Sequence, residues 1–255
     1  WEELLIACKD LKAAGYTPFA NGLADAWDIN ECFMMGLLPN FIGGENGRCA
    51  YEDGLRPFND EDMVAAFTAM KDIAPYCPEN FELLKYADSN MLFATGKAAM
   101  YADGSWTLDS FKDLPFRWGN FAFPPPAGKQ SEICFHVDVG IAMNANGKHT
   151  KEARDFLAWL CTPEGVAVVA KYLPNGFYSM FNDAIPVESP QSAELYALLT
   201  GRGHDVRFTW PRLMNGSPSG YTLMNEGVIA VMKGEETPQQ AADALAAGLA
   251  KWYKP

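Results

Sequence analysis

Residues 96–106, which read GKAAMYADGSW, constrain the fold of this chain more than any other stretch. Their small and apolar side chains predict a short buried strand over 98–102, and the Asp-Gly pair at 103–104 is typical of a turn. A helix is expected to follow over 105–112. In an open α/β sheet, ligands bind beyond the carboxyl ends of the strands, so Trp106 would lie where a ligand binds. Taken alone, the stretch slightly favours a core position for Trp106, as for most aromatic residues.

The rest of the chain predicts alternating helices and short strands, which is typical of an α/β domain. The spacing of apolar residues and the capping residues predict helices over 1–14, 29–38, 60–74, 191–199, 220–233 and 238–253, and two more that begin at 150 and 162. Further strands are predicted at 17–20, 118–123 and 137–144. Pairs of Gly and Asn predict a loop over 39–53.

Six stretches follow one another in a recognisable order along the chain. They are WEELL at 1–5, YTPFA at 16–20, FATGKAAMYADGSW at 93–106, FAFPPPAG at 121–128, VGIAM at 139–143 and KEARDFLAWLCTPEG at 151–165. This ordered set resembles the family 1 extracellular solute-binding proteins, which are the maltose-binding-protein-like sugar receptors of ABC importers.

The resemblance implies an α/β fold of the periplasmic-binding-protein type II, with two lobes whose mixed sheets are flanked by helices. Together with the Pro-rich exit at 124–126 and the irregular stretch at 173–190, it places 1–127 and 188–255 in the second lobe. Residues 128–187 would form a portion of the first lobe. The first lobe would then be incomplete in this chain.

Charge and hydropathy exclude several classes of function. The formal net charge is −12 and no Lys/Arg cluster is present, so nucleic acid and anionic membrane surfaces are not expected as partners. No apolar run approaches the roughly 20 residues that span a bilayer. Trp1 already lies inside a helical pattern with no capping residue before it. The sequence is therefore expected to begin partway through a protein, which would explain why no signal peptide is visible.

The cysteines and histidines do not predict a metal site or a cofactor. None of the six cysteines forms a CxxC pair, and the three histidines lack the spacing of metal ligands. Cys32, Cys49 and Cys77 flank polar loops. A bridge between Cys32 and Cys49 would fit an exported protein, but three independent thiols fit the sequence about as well.

Enzyme signatures are absent apart from one weak pair of acids. HExxH, a P-loop and GxGxxG are missing, and 216–220 carries Pro where a GxSxG motif needs its Ser. Asp103 and Asp138 follow predicted strands and could serve a glycoside hydrolase, which needs two acids across a cleft. A turn role for Asp before Gly is the stronger interpretation for Asp103. We therefore expect no catalytic residues.

Aromatic residues at loop and helix-start positions predict a carbohydrate site instead. A pyranose stacks its C–H face on flat rings, and its hydroxyls need polar partners at the rim. The candidate rings for the sugar are Trp27, Trp106, Trp210 and Tyr221. Three other tryptophans are predicted to lie in the core: Trp118, Trp159 and Trp252. The candidate polar partners are Asp103, His136 and Asp138.

The resemblance assigns the same rings. In maltose-binding-like receptors an aromatic residue after the Asn/Asp-Gly turn stacks on the sugar, which matches Trp106. Aromatics in the loop after a second-lobe strand and at the start of the helix before the last one match Trp27 and Tyr221. Where the family often has Gly-Gly, this chain has Phe-His-Val-Asp at 135–138. That departure predicts a ligand other than a plain maltodextrin.

The sequence as a whole favours a monomeric substrate-binding protein of an ABC transporter. It would capture a mono- or oligosaccharide between two lobes and dock on membrane permease subunits. It would act outside the cytoplasm, in the periplasm or anchored by lipid to the outer face of the cell membrane. Two alternatives stay open: a carbohydrate-active enzyme, and a receptor for a non-sugar solute such as a peptide or a polyamine.

Overall fold

The fold combines helices with two pairs of short parallel strands. The structure, a computed structural model, describes residues 1–136, 140–178, 187 and 189–255. Its helices are α1 Glu2–Ala13, α2 Met35–Ile42, α3 Gly44–Glu52, α4 Glu61–Ile73, α5 Tyr86–Ala94, α6 Leu108–Phe111, α7 Thr150–Leu160, α8 Pro163–Ala170, α9 Pro190–Ala197, α10 Gly220–Lys233 and α11 Pro238–Leu249. A π-helix covers Asp28–Met34, and 3-10 turns cover Ala74–Tyr76, Phe81–Leu83 and Ser105–Thr107. The strands are β1 Thr17–Phe19, β2 Ala98–Met100, β3 Glu132–Cys134 and β4 Gly203–Asp205.

The two strand pairs bring four chain segments to their carboxyl ends. β1 and β2 are parallel, with Phe19 opposite Met100. β3 and β4 are parallel, with Cys134 opposite Asp205. The segments that follow these strands carry Asn21, Trp106, His136 and the residues after β4. Polar and aromatic residues therefore leave neighbouring strand ends.

The main hydrophobic core lies where α4, α10 and α11 pack together, with α2 packed against α4. Phe67, Val228 and Leu245 are fully buried in it. Gly227 permits the close approach, because a Cβ there would lie 3.1 Å from Phe67 and 3.2 Å from Ala241. α10 has the predicted bounds, and α11 begins at the predicted capping box of Thr237 and Gln240.

The prediction of a loop over 39–53 is wrong. α2 continues to Ile42, and α3 begins at once because Gly43 reverses the chain with a φ of 91°. α2 buries almost its whole length in the core, and this packing outweighs the turn preference of the glycines. Asn46 and Gly47 lie inside α3.

Two other predicted strands are not found as such. Residues 118–123 are irregular. Their backbone forms a hydrogen bond with a side chain and not with another strand, since Asn120 N donates to Glu194 at 3.3 Å. In the predicted strand at 137–144, residues 137–139 lie outside the described residues. Residues 140–144 are described and do not form a strand.

The predicted bridge between Cys32 and Cys49 is wrong, since all six cysteines are free thiols. The thiol of Cys32 is directed instead at Asp103 Oδ1, at 3.6 Å. Among the described residues, no helix combines the length and the apolar character that crossing a membrane requires.

The helical hairpin of α7 and α8 differs from the core helices. Gly165 is its only buried residue, and Phe156 on α7 is 54% exposed. Trp159 is only half-buried and stacks on Phe156 at a ring distance of 5.9 Å, so its predicted core position is wrong. The hairpin presents a partly uncovered apolar face. The assignment of 128–187 to a separate lobe stays a prediction.

Candidate functional site

Five rings form one continuous row, which we call the aromatic line: Tyr86, Trp27, Trp106, His136 and Trp210. Successive ring centres lie 4.3 Å apart for Tyr86 and Trp27, and 6.3 Å apart for Trp27 and Trp106. The spacing is 6.3 Å from Trp106 to His136 and 4.9 Å from His136 to Trp210. All five rings are half-buried, so the line offers flat apolar surface that solvent can reach.

The strand ends explain why these rings meet. Trp106 lies in the 3-10 turn that follows β2, His136 lies two residues after β3, and Trp210 lies five residues after β4. Trp27 immediately precedes the π-helix. Side chains that leave the carboxyl ends of parallel strands gather at one edge of a sheet, which is where open α/β folds bind ligands.

A hydrogen-bonded chain fixes Trp106 at the centre of the line. The indole Nε1 of Trp106 donates to the hydroxyl of Tyr86 at 2.9 Å, and that hydroxyl donates to Asp103 Oδ2 at 3.0 Å. The amide of Gly104 donates to Asp103 Oδ1 at 2.7 Å. A Cβ at Gly104 would lie 2.0 Å from the indole of Trp106, so this position requires glycine.

Buried acids lie beneath this part of the line. Asp28 is fully buried and accepts a hydrogen bond from Asn21 Nδ2 at 3.1 Å. Asn21 also exchanges two hydrogen bonds with the backbone of Ala102, at 2.8 and 3.0 Å, and so ties the end of β2 to the π-helix. Burial raises the pKa of Asp28 to about 7 and that of Asp103 to about 6.

The other end of the line carries a charged pair. The guanidinium of Arg207 lies 4.8 Å from the ring centre of Trp210 and 5.9 Å from that of Trp106, which are cation–π distances. Arg207 forms an ion pair with Glu31. The other carboxylate oxygen of Glu31 accepts from the hydroxyl of Tyr221 at 2.7 Å. Both oxygens of Glu31 are therefore held by the protein.

A second ion pair anchors the segment that carries Arg207. Two residues earlier, Asp205 accepts two hydrogen bonds from Arg48 Nε, at 2.8 and 2.9 Å. Arg48 Nη1 also pairs with Glu52 at 3.0 Å, and all three side chains are buried. Arg48 and Glu52 lie on α3, so this helix holds the end of β4.

The structure brings together most of the residues that the sequence predicts for the site. These are Trp27, Asp103, Trp106, His136, Trp210 and Tyr221. Asp138 lies outside the described residues, so its separation from Asp103, on which the hydrolase alternative depends, is not described. Within the described ranges, no three His, Cys, Asp or Glu side chains are grouped to hold a metal ion.

Sequence reasoning missed Tyr86, Arg207 and Glu31. Arg207 follows β4 in the same way that Trp106 follows β2, so recognising Gly203–Asp205 as a strand would have found it. Tyr86 is the first residue of α5 and meets Trp106 across 20 positions. No local pattern marks it.

Comparison with known proteins identifies the family of this chain. A family model described as bacterial extracellular solute-binding protein matches residues 1–195. The multiple sugar-binding protein of Streptococcus mutans serotype c is 30% identical over 175 residues, which are 64% of this chain and 40% of that protein. This chain thus spans about 40% of the length of that curated relative.

Solved structures show the same fold. A chitin oligosaccharide binding protein superposes with a TM-score of 0.79 at 23% identity, over 98% of this chain and 64% of its own. The solute-binding protein RafE in complex with raffinose gives a TM-score of 0.70 at 23% identity, over 100% of this chain and 66% of its own. The predicted α/β fold of a two-lobed binding protein is confirmed by these likenesses.

Proposed function

The chain belongs to the family of bacterial extracellular solute-binding proteins, and from this premise we propose that it captures a carbohydrate on the aromatic line. The observation that carries the proposal is the row of half-buried rings at the carboxyl ends of both strand pairs. The ligand is a mono- or oligosaccharide. The protein delivers it to the permease subunits of an ABC transporter.

The chemistry of the site suits a sugar. Trp106 and Trp210 provide flat rings for the C–H faces of pyranoses. Charged and polar groups serve the hydroxyls, namely Asp103 beneath one end of the aromatic line and Arg207 with Glu31 at the other end. His136 and Tyr221 supply further polar atoms, and Asp138 completes the proposed ligand set.

The proposed receptor works without catalysis, as a monomer, outside the cytoplasm. It acts in the periplasm or anchored by lipid to the cell membrane. It closes its two lobes on the ligand, with 128–187 in the first lobe and the remaining residues in the second. The uncovered apolar face of α7 and α8 supports this division, because a helix pair with one buried residue needs a further partner.

Calorimetric titration tests the proposal. We expect the protein to bind raffinose or a chitin oligosaccharide, the ligands in the names of its structural neighbours, and spermidine not to compete. Chromatography of the same mixtures after prolonged incubation should recover the saccharides intact. Binding of spermidine without binding of any saccharide would contradict the proposal, and so would the appearance of shorter saccharides.

A further inference from the structure

The hydroxyl of Tyr86 stands between the central ring of the site and a buried acid. It accepts from Trp106 Nε1 at 2.9 Å and donates to Asp103 Oδ2 at 3.0 Å. The ring of Tyr86 also packs against Trp27, with centres 4.3 Å apart. One tyrosine therefore contacts two of the proposed sugar-stacking residues, Trp27 through its ring and Trp106 through its hydroxyl, and the same hydroxyl contacts Asp103.

The direction of these hydrogen bonds depends on the charge of Asp103. An indole N–H can only donate and an ionised carboxylate can only accept, so the hydroxyl of Tyr86 must point its proton at Asp103. Asp103 Oδ1 already accepts from the Gly104 amide at 2.7 Å and faces the Cys32 thiol at 3.6 Å. Protonation removes the negative charge that strengthens these hydrogen bonds and turns one oxygen of Asp103 into an O–H donor, so the bond to Tyr86 weakens or reverses.

The surroundings of Asp103 favour a change of charge in an accessible pH range. The π-helix contributes Cys32 and the buried acid Asp28, α5 contributes Tyr86, and Tyr101 follows β2. The guanidinium of Arg207 lies 5.9 Å from the ring of Trp106 and is paired with Glu31, and the ring of His136 packs on Trp106 with centres 6.3 Å apart. Among the described residues Asp103 has no ion pair, and burial raises its pKa to about 6.

We propose that Tyr86 is a positioning residue that couples the orientation of Trp106 to the charge of Asp103, so that ligand affinity falls on acidification. The inference rests on the proposed function for its ligand, but the coupling itself belongs to the ligand-free protein. Ionised Asp103 holds Tyr86, and Tyr86 holds the indole in the orientation that stacks on a sugar ring. Protonated Asp103 releases this chain.

The first test needs no ligand. Tryptophan fluorescence of the wild-type protein, titrated from pH 8 to pH 5, should show a transition near pH 6. Tyr86→Phe and Asp103→Asn should each remove it, because the first deletes the link and the second deletes the titrating group. Asp28 also titrates in this range, so all three proteins are compared in the Asp28→Asn background, where the transition near pH 6 should remain when Tyr86 and Asp103 are present. A transition that survives in Tyr86→Phe would overturn the inference.

The second test measures affinity for raffinose and a chitin oligosaccharide at pH 8 and pH 5. We expect the wild-type protein to bind roughly tenfold more weakly at pH 5. Tyr86→Phe keeps the ring on Trp27, so it should keep the melting temperature while binding weakly at both pH values. Asp103→Asn should bind with equal affinity at both.

The outcomes separate the two proposals. A wild-type protein that binds neither saccharide contradicts the proposed function, whereas the fluorescence titration still decides whether Tyr86 couples Trp106 to Asp103. A wild-type protein that binds, with Tyr86→Phe unchanged in affinity and in pH dependence, contradicts the positioning role alone. Tyr221→Phe, which removes a hydroxyl from the opposite end of the site, should leave the pH dependence intact.

Discussion

Two sets of buried carboxylates lie within this site, and they are held in opposite ways. Asp205 and Glu52 are paired with the buried guanidinium of Arg48. Asp28 and Asp103 are held by neutral donors, and neither forms an ion pair in the described part of the chain. The first arrangement anchors a segment, and Arg48 opposes the rise that burial causes in the pKa of Asp205 and Glu52. The second leaves acids whose pKa values lie near neutrality, at about 7 and about 6, so their charge follows the pH of the medium.

Breaking the paired set should have the largest effect. Arg48→Met leaves Asp205 and Glu52 buried without their cation, and removing one partner of such a pair costs about 3–5 kcal/mol. We expect the free energy of unfolding, measured by urea denaturation, to fall by that amount. A fall of less than about 1 kcal/mol would show that the ion pair does not anchor β4 to α3.

The ring above the unpaired set should matter for binding more than for folding. Trp106→Ala loses an aromatic contact of ~0.5–1.5 kcal/mol and the apolar area buried by the ligand, at ~25 cal/mol per Å2. We expect a loss of roughly a hundredfold in affinity for the saccharide that the wild-type protein binds. Phe67→Ala, in the fully buried core, is the control and should cost about 3–5 kcal/mol of stability. Equal destabilisation by both variants would make Trp106 a core residue.

Asp28→Asn tests the difference between paired and unpaired acids through the free energy of unfolding. The folded protein raises the pKa of Asp28 to about 7. The contribution of Asp28 to the free energy of unfolding is therefore fully present below about pH 4 and is lost as the pH rises through 7. The variant cannot ionise. At pH 8 we expect it to unfold with a free energy higher than wild type by on the order of 1–3 kcal/mol.

The same pair of proteins should approach equal stability below the ordinary pKa of an aspartate, at about pH 3, where wild-type Asp28 is mostly protonated in both the folded and the unfolded state. Thermal melting from about pH 3 to pH 8 checks this. A variant that is less stable than wild type at pH 8 would mean that Asp28 is ionised and favourably bound in the folded protein.

The smallest effect on stability is expected for Arg212, the exposed arginine next to the paired set. Arg212 also reaches Glu52, at 3.7 Å, and pairs with Asp53 at 3.0 Å, but its side chain is 54% exposed. Exposed pairs contribute about 0–1 kcal/mol. Arg212→Met should therefore change the urea midpoint little, and adding salt should reduce even that difference. A cost equal to that of Arg48→Met would remove the distinction between buried and exposed partners.

Local chemistry made part of the fold predictable. α10 begins where Ser219 accepts from Thr222 N and ends where Gly234 takes a φ of 74°, and both signals are readable in the sequence. The end of α2, from Pro39 to Ile42, and the whole of α3 were missed because their burial, which depends on distant elements, overrides the glycines at 43–44. Residues 118–123 were predicted as a strand, but none of the four strands in the described part of the chain pairs with them.

The site divides in the same way. The rule that ligands bind beyond strand ends pointed to Trp106. Loop and helix-start positions pointed to Trp27 and Tyr221, and the resemblance to a known family assigned the same rings. Arg207 reaches Glu31 across 176 positions of sequence, and no spacing rule relates residues so far apart. The ion pairs and the link through Tyr86 became visible only when the strands were in place.

The contact between Gly104 and the indole of Trp106 also limits how this site can change during evolution. Because a methyl group at 104 would overlap the ring, the two codons cannot drift independently. A homologue that gains alanine or serine at 104 must first acquire a smaller or differently turned residue at 106. The order of the two steps is then fixed: a large ring at 106 in this orientation implies glycine at 104, whereas glycine at 104 does not by itself require a ring at 106.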